Sequence, residues 1–183
     1  MQDDSDHSLM LLVGNGRTDA LALLFERHYR RLFSYFRRLG HGRTASEDLV
    51  QDTFLRMLRY AGSFRESGCF LPWMYRIARH VAADSLGRTL VAVPDTEVAL
   101  DELPGPEWSD PEARQLEWEA EARLRRALAA LPQEQRDLVL LSRVRDLALV
   151  DLATLFDCST GALKVRLHRS LKALREHYEA GDA

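Results

Sequence analysis

The residues of this chain best placed to do chemistry are cations gathered in one short stretch. Between Thr160 and Arg175 stand Lys164, Arg166, Arg169, Lys172 and Arg175, with no acidic side chain among them. Leu163, Leu167, Leu171 and Leu174 recur through the same stretch, so a helix would collect them on one face and leave the cations to solvent. A merely solvated amphipathic helix ordinarily mixes both signs of charge. A face this uniformly basic matches the phosphates of a nucleic-acid groove.

Other chemistries lack their patterns. The six histidines show no HExxH or comparable spacing, and no phosphate-cradling GxxxxGKS loop, GxGxxG turn or GxSxG elbow occurs. The scattered acids form no dyad. Neither an enzyme nor a metal or other cofactor is expected. Cys69 and Cys158 lie far apart with no CxxC, which predicts packing or turn residues in a reducing cytoplasm. The longest apolar run near the start, Leu9 to Val13, follows three aspartates, so no signal peptide or membrane insertion is expected.

The elements that must position the basic face are helical. Apolar residues recur at three and four throughout, which predicts an all-α chain. Leu149 to Phe156 reads as a short helix, Asp157 and Cys158 as a tight turn, and Ser159 as the cap of a second helix reaching about Tyr178. Short helix, turn and capped longer helix is the plan of a DNA-binding helix-turn-helix. Upstream, Asp110 and Pro111 predict the start of a helix reaching Leu131; Pro132 restarts the chain, and Leu138 to Val144 form a buried helix. In the first half, Leu21 to Phe36 trace one helical face. Thr44 with Glu47 fits a capping box, Leu49, Val50, Phe54, Leu55 and Leu58 form an apolar stripe, and Pro72 opens a helix through Val81.

Net charge divides the chain. The formal charge of -3 conceals a first half that is basic from residue 20 to 88 and a basic end after residue 122. Residues 89–110 hold six acids (Asp95, Glu97, Asp101, Glu102, Glu107, Asp110) and no basic side chain, and four of the six prolines fall within residues 89–111. The expected organisation is therefore two small helical domains, residues 1–88 and 111–183, on a flexible acidic linker, 89–110.

Three separate stretches, in order, carry a family resemblance. LPQEQRDLVLLSRVRDLALVDLATLFDCSTGALKVRLHRSLKALRE resembles region 4 of the extracytoplasmic function (ECF) sigma factors, group 4 of the sigma-70 superfamily. SEDLVQDTFLRMLR resembles region 2.2, and SFRESGCFLPWMYRIARHVAADSL regions 2.3 and 2.4. The resemblance implies a transcription initiation factor that binds core RNA polymerase and directs it to promoters through their -10 and -35 elements, aiding melting.

The same resemblance implies site residues. Asp48, Gln51 and Asp52 fall on the positions that dock on core polymerase, and their spacing puts them on one helical face. The loop from Arg65 to Leu71, with Ser67 and Phe70, resembles the base-capturing loop for the -10 element, and Arg76, Arg79, His80 and Arg88 would hold the flanking DNA. Trp73, one residue inside its helix, reads as core. For the -35 element the set is Ser159, Thr160, Lys164, Arg166, Arg169 and Lys172. Ala162 and Val165 stand where the family carries hydroxyls, which predicts an altered -35 preference and leaves apolar contact with a thymine methyl. The implied partners are promoter DNA, core polymerase and an anti-sigma factor offering a small acidic helical segment, with the chain a monomer when free of them. The acidic linker would mimic nascent RNA in the polymerase or serve as a spacer. A sigma-like interaction module with little promoter activity is the alternative, and a helical DNA-modifying enzyme the third.

Overall fold

The computed structural model describes residues 5–65, 68–88, 111–144 and 147–180. Ser67, the linker 89–110 and the side chain of Arg88 lie outside the described residues, and with them Asp110 and the linker's expected role. The described chain is all helical: α1 (Asp6–Gly14), α2 (Ala20–Arg38), α3 (Arg43–Arg59), a 3-10 turn (Ala61–Ser63), α4 (Phe70–Arg88), α5 (Pro111–Ala130), α6 (Gln133–Leu141), α7 (Leu149–Leu155) and α8 (Thr160–Ala180). Among the described residues no helix is long and apolar enough to cross a membrane.

Two bundles follow from where the apolar faces meet. In the first, α2 packs on α1 and α3, and α3 packs on α4. Leu24, Leu32 and Phe36 of α2, Val50 and Met57 of α3, and Met74, Ala78 and Val81 of α4 are fully enclosed. Each of these side chains other than Ala78 contributes roughly 1.5–3 kcal/mol on burial, which is what holds helices of modest propensity in place. In the second, α5, α6 and α7 each pack on α8 around Leu138, Leu141, Leu152 and Leu163. The bundles also touch one another, α4 against α7 and α2 against α6.

Four local expectations are corrected. The helix expected to be capped by Thr44 is capped two residues earlier, by Gly42, and starts at Arg43, and Glu47 pairs with Arg43 at 3.3 Å instead of closing a capping box. The α4 helix starts at Phe70, so Pro72 sits within its first turn, where a missing N–H costs nothing. The buried helix expected to run to Val144 ends at Leu141. Leu55 and Leu58 leave the apolar stripe of α3: they are 63% and 38% exposed, and Met57 takes the inward place.

Helix α1 is a further addition. Ser5 caps it by accepting from the Ser8 N–H at 3.2 Å, and Leu9, Met10 and Val13 enter the core. A Cβ at Gly14 would meet the Ala61 carbonyl oxygen at 3.1 Å, so glycine permits the close approach of α1 to the turn. Asp6 ties the helix down: Arg27 Nη1 donates to it at 2.8 Å and His28 Nε2 at 2.7 Å. Burial alone would raise the Asp6 carboxyl, but Arg27 and His28 together hold it below its ordinary value.

The His28 imidazole faces the opposite balance. With Nε2 given to Asp6, the buried Nδ1 has no hydrogen-bond partner among the described residues, and the ring lies 5.1 Å from that of Phe70. Burial lowers its pKa and Asp6 only partly opposes the shift. His41 is lowered too, by burial and by Arg136. Below about pH 6.5 the unfolded chain therefore binds more protons at both sites, and folding stability declines as pH falls through that window. We expect the melting temperature to drop between pH 7.5 and 5.5, and His28→Gln to flatten but not abolish the slope, as measured by circular dichroism.

Candidate nucleic-acid interface

The basic face of α8 is built by capping and packing. The Ser159 side chain accepts from the Ala162 N–H at 3.2 Å, and Asp157, at φ 49°, turns the chain back from α7. Leu163 and Ser170 face inward and are almost wholly buried, while Leu167, Leu171 and Leu174 pack at the edge of the core. Ser159, Thr160, Lys164, Arg166, Arg169 and Lys172 are all exposed. Their charge is only lightly countered: Arg166 meets Glu134 at 3.3 Å, and Lys172 meets Glu176 at 3.8 Å, both in the open where pairs are weak. Val165 is 51% exposed on the same helix.

A second surface lies where α3 ends beside α4. An open groove of about 540 Å³ is walled by Tyr60 and Trp73 and by the polar ends of Arg56, Arg76, His80 and Asp84. Arg56 spans it, donating to Asp84 at 2.6 Å and Asp52 at 3.4 Å. Trp73, expected in the core, is only partly buried, with Phe64 at 5.2 Å edge-on. Tyr60, absent from the sequence-derived set, is half exposed. An aromatic wall with nearby cations suits an unstacked base and its phosphate.

The other expected members of that surface are divided. Arg65 and His80 are exposed. Phe70 is not available for stacking here: it is 5% exposed, enclosed by His28 and Phe64 as the first residue of α4. Arg76 is exposed, yet Nη2 donates to the Thr154 carbonyl oxygen at 3.3 Å. Arg79 turns from solvent to the second bundle, where Nε donates to Asp137 at 3.0 Å and the guanidinium lies 4.2 Å from the Phe156 ring centroid. Asp137 also accepts from Tyr35 Oη at 2.9 Å. Burial pushes its carboxyl above the ordinary value despite Tyr35 and Arg79, and pushes the Tyr35 phenol well up in the same way.

On α3, Asp48 and Gln51 are exposed and Asp52 is half-buried beside Arg56. Leu55 continues their row, so the face carries acidic and amide side chains with an exposed apolar one at its end.

Comparison with known proteins bears on all three surfaces. The family model for sigma-70 region 2 matches residues 24–89, and that for sigma-70 region 4 matches residues 121–174. RNA polymerase sigma factor CarQ of Myxococcus xanthus is 33% identical over 165 residues, covering 88% of this chain and 91% of the relative. The ECF RNA polymerase sigma factor SigF of Caulobacter vibrioides is 32% identical over 158 residues, covering 83% of this chain and 82% of the relative. The chain belongs to the ECF sigma factors of the sigma-70 family.

As a sigma factor it serves promoter-specific initiation of transcription by RNA polymerase. Its fold is also that of CnrH in complex with the cytosolic domain of CnrY, with TM-score 0.70, 23% identity and coverage of 96% of this chain and 97% of the other. The sigma factor RpoE in complex with the anti-sigma factor NepR from Bartonella quintana gives TM-score 0.62 at 20% identity, covering 88% and 98%. In this sigma factor the α3 row and the groove fall within the region 2 match, and most of α8 within region 4. The Ser159 cap orients that helix: Ser159→Ala should cost the second bundle about 1 kcal/mol, and Ser159→Asp, which can accept the same bond, should restore it in urea unfolding of the full chain.

Proposed function

We propose that the three surfaces divide the work of initiation. Residues 1–88 carry docking on core polymerase and the -10 element, residues 111–183 carry the -35 element, and residues 89–110 connect them. The α8 cations follow the phosphates of the -35 duplex, with Val165 placed for a thymine methyl. The groove holds the melted -10 strand, with Tyr60 and Trp73 as stacking walls and Arg76, Arg79 and His80 beside them. Stacking at about 1–3 kcal/mol per base offsets the cost of unstacking. The chain acts in the cytoplasm, where core polymerase works.

The observation that carries this reading is the one-sidedness of α8, whose cations are exposed while Leu163 and Ser170 are buried. Titration of the full chain with upstream promoter duplex at several salt concentrations tests it. Arg169→Ala should lower the salt slope by about one if Arg169 meets a phosphate, and relax one base position by ~1–3 kcal/mol if it meets a base edge. An unchanged slope and preference would sink the assignment.

Docking on polymerase rests on the α3 row. Asp48→Arg tests its charge more cleanly than a change at Asp52, which is engaged with Arg56. We expect Asp48→Arg and Leu55→Ala each to weaken core binding about tenfold without loss of helix content, since one reverses a charge of the row and the other removes its exposed apolar side chain.

An anti-sigma partner with an acidic segment is the regulatory half of the proposal. The similar solved folds include one in complex with an anti-sigma factor. In this chain a cleft of about 300 Å³ runs along the seam between the bundles, walled by Arg30, Arg31 and Arg38 of α2 and Arg143 after α6, over a floor that includes Leu140 and Val144. Four arginines over apolar residues fit an acidic amphipathic helix that touches both halves at once.

A further inference from the structure

Helix α1 also reaches the loop that precedes α4. His7, in its first turn, places Nδ1 at 2.9 Å from the Gly68 carbonyl oxygen, and since a carbonyl only accepts, Nδ1 is the donor. The same imidazole packs on Phe64 with ring centroids 5.2 Å apart, and Phe64 in turn meets Trp73, a wall of the groove, at 5.2 Å. Gly68 is held from its other side too: its N–H donates to the Arg65 carbonyl oxygen at 2.9 Å, and a Cβ there would meet that oxygen at 3.1 Å. Asp6, the neighbour of His7, bonds His28, whose ring lies 5.1 Å from that of Phe70. Two adjacent residues of α1 therefore reach the residues on either side of Cys69, where the loop becomes α4.

We propose that His7 is a positioning residue for -10 recognition, anchoring the α4 end of the Arg65–Leu71 loop by its hydrogen bond to Gly68. The inference rests on the reading of that loop and the adjoining groove as the seat of the -10 strand. A loop that captures a base binds best when its backbone is already in place, because ordering it during binding costs affinity. Discrimination between bases asks for more, since the pocket must be held to within about 0.5 Å of the productive geometry. His7 supplies such a restraint from outside the loop. It precedes residues 24–89, the span of the region 2 match, so the restraint comes from a part of the chain that the match does not include. His7 acts through Gly68 and Phe64, and its loss leaves the tie of α1 to α2 through Asp6, Arg27 and His28 in place.

The test uses the full chain assembled with core polymerase. His7→Phe keeps a ring against Phe64 and removes the donor, with His7→Leu as a second donorless variant should the first fold poorly by circular dichroism. His7→Asn sets an amide N–H where Nδ1 stands and removes the ring. Each holoenzyme selects from a promoter library randomised across the -35 and -10 regions, and sequencing of the DNA held in open complexes reads the base preference at every position. We expect the donorless variants to lose about fivefold in discrimination within the -10 region, the worth of one net hydrogen bond, with the -35 preference unchanged and His7→Asn close to the parent protein. An unchanged -10 preference in the donorless variants overturns the proposal. So does an equal loss in His7→Asn, which would assign the effect to the ring, or an equal loss at -35, which would mark a general defect. Arg65→Ala separates this inference from the reading beneath it. If Arg65→Ala alters the -10 preference and the donorless variants do not, the loop reading stands and only the role of His7 falls; if neither alters it, the loop reading has failed and the role of His7 falls with it.

Discussion

One buried carboxylate organises the relation between the two halves of this sigma factor. Asp137 lies on α6, far along the chain from its partners, and receives the Tyr35 hydroxyl at 2.9 Å and the Arg79 guanidinium at 3.0 Å. Removing such a group from water costs several kcal/mol, and partners of good geometry offset that cost without leaving a large surplus. The raised carboxyl pKa reports the same balance, with burial outweighing both donors. An interface held this way has a defined register, because a small displacement strands a charge, yet it is not held by a large net energy.

The elements legible in the sequence are those whose causes are local. Helix α8 announces itself through four leucines at helical spacing, a serine cap and a run of cations, and each of these acts within a few residues. The helix-turn-helix and the start of α5 at Pro111 were legible for the same reason. Helix α1 was not, because a nine-residue helix is marginal alone and is held by Asp6 reaching Arg27 and His28 and by Gly14 lying against Ala61. Nothing near residue 10 in the sequence signals those partners.

The site residues divide along the same line. The exposure of Asp48 and Gln51 followed from their helical register. The burial of Phe70 and the capture of Arg79 depend on which helix covers them, and that is a fact about residues tens of positions away. Leu55 shows the limit of periodicity most plainly. It lies one position beyond Phe54, so a broad apolar stripe takes in both, and only the placement of α2 and α4 decides that Phe54 is enclosed and Leu55 is not.

That exposed leucine sets a condition on how the protein can be kept. A 63% exposed leucine, with the partly exposed Leu58 one turn further along α3, leaves apolar surface in water whenever nothing covers it. Water disfavours that surface, and as the free chain becomes more concentrated, self-association becomes an increasingly available way to hide it. Solubility is therefore linked to occupancy: anything that covers this side chain also raises the amount of factor that stays dispersed. Synthesis in step with its partners would keep the chain under that ceiling.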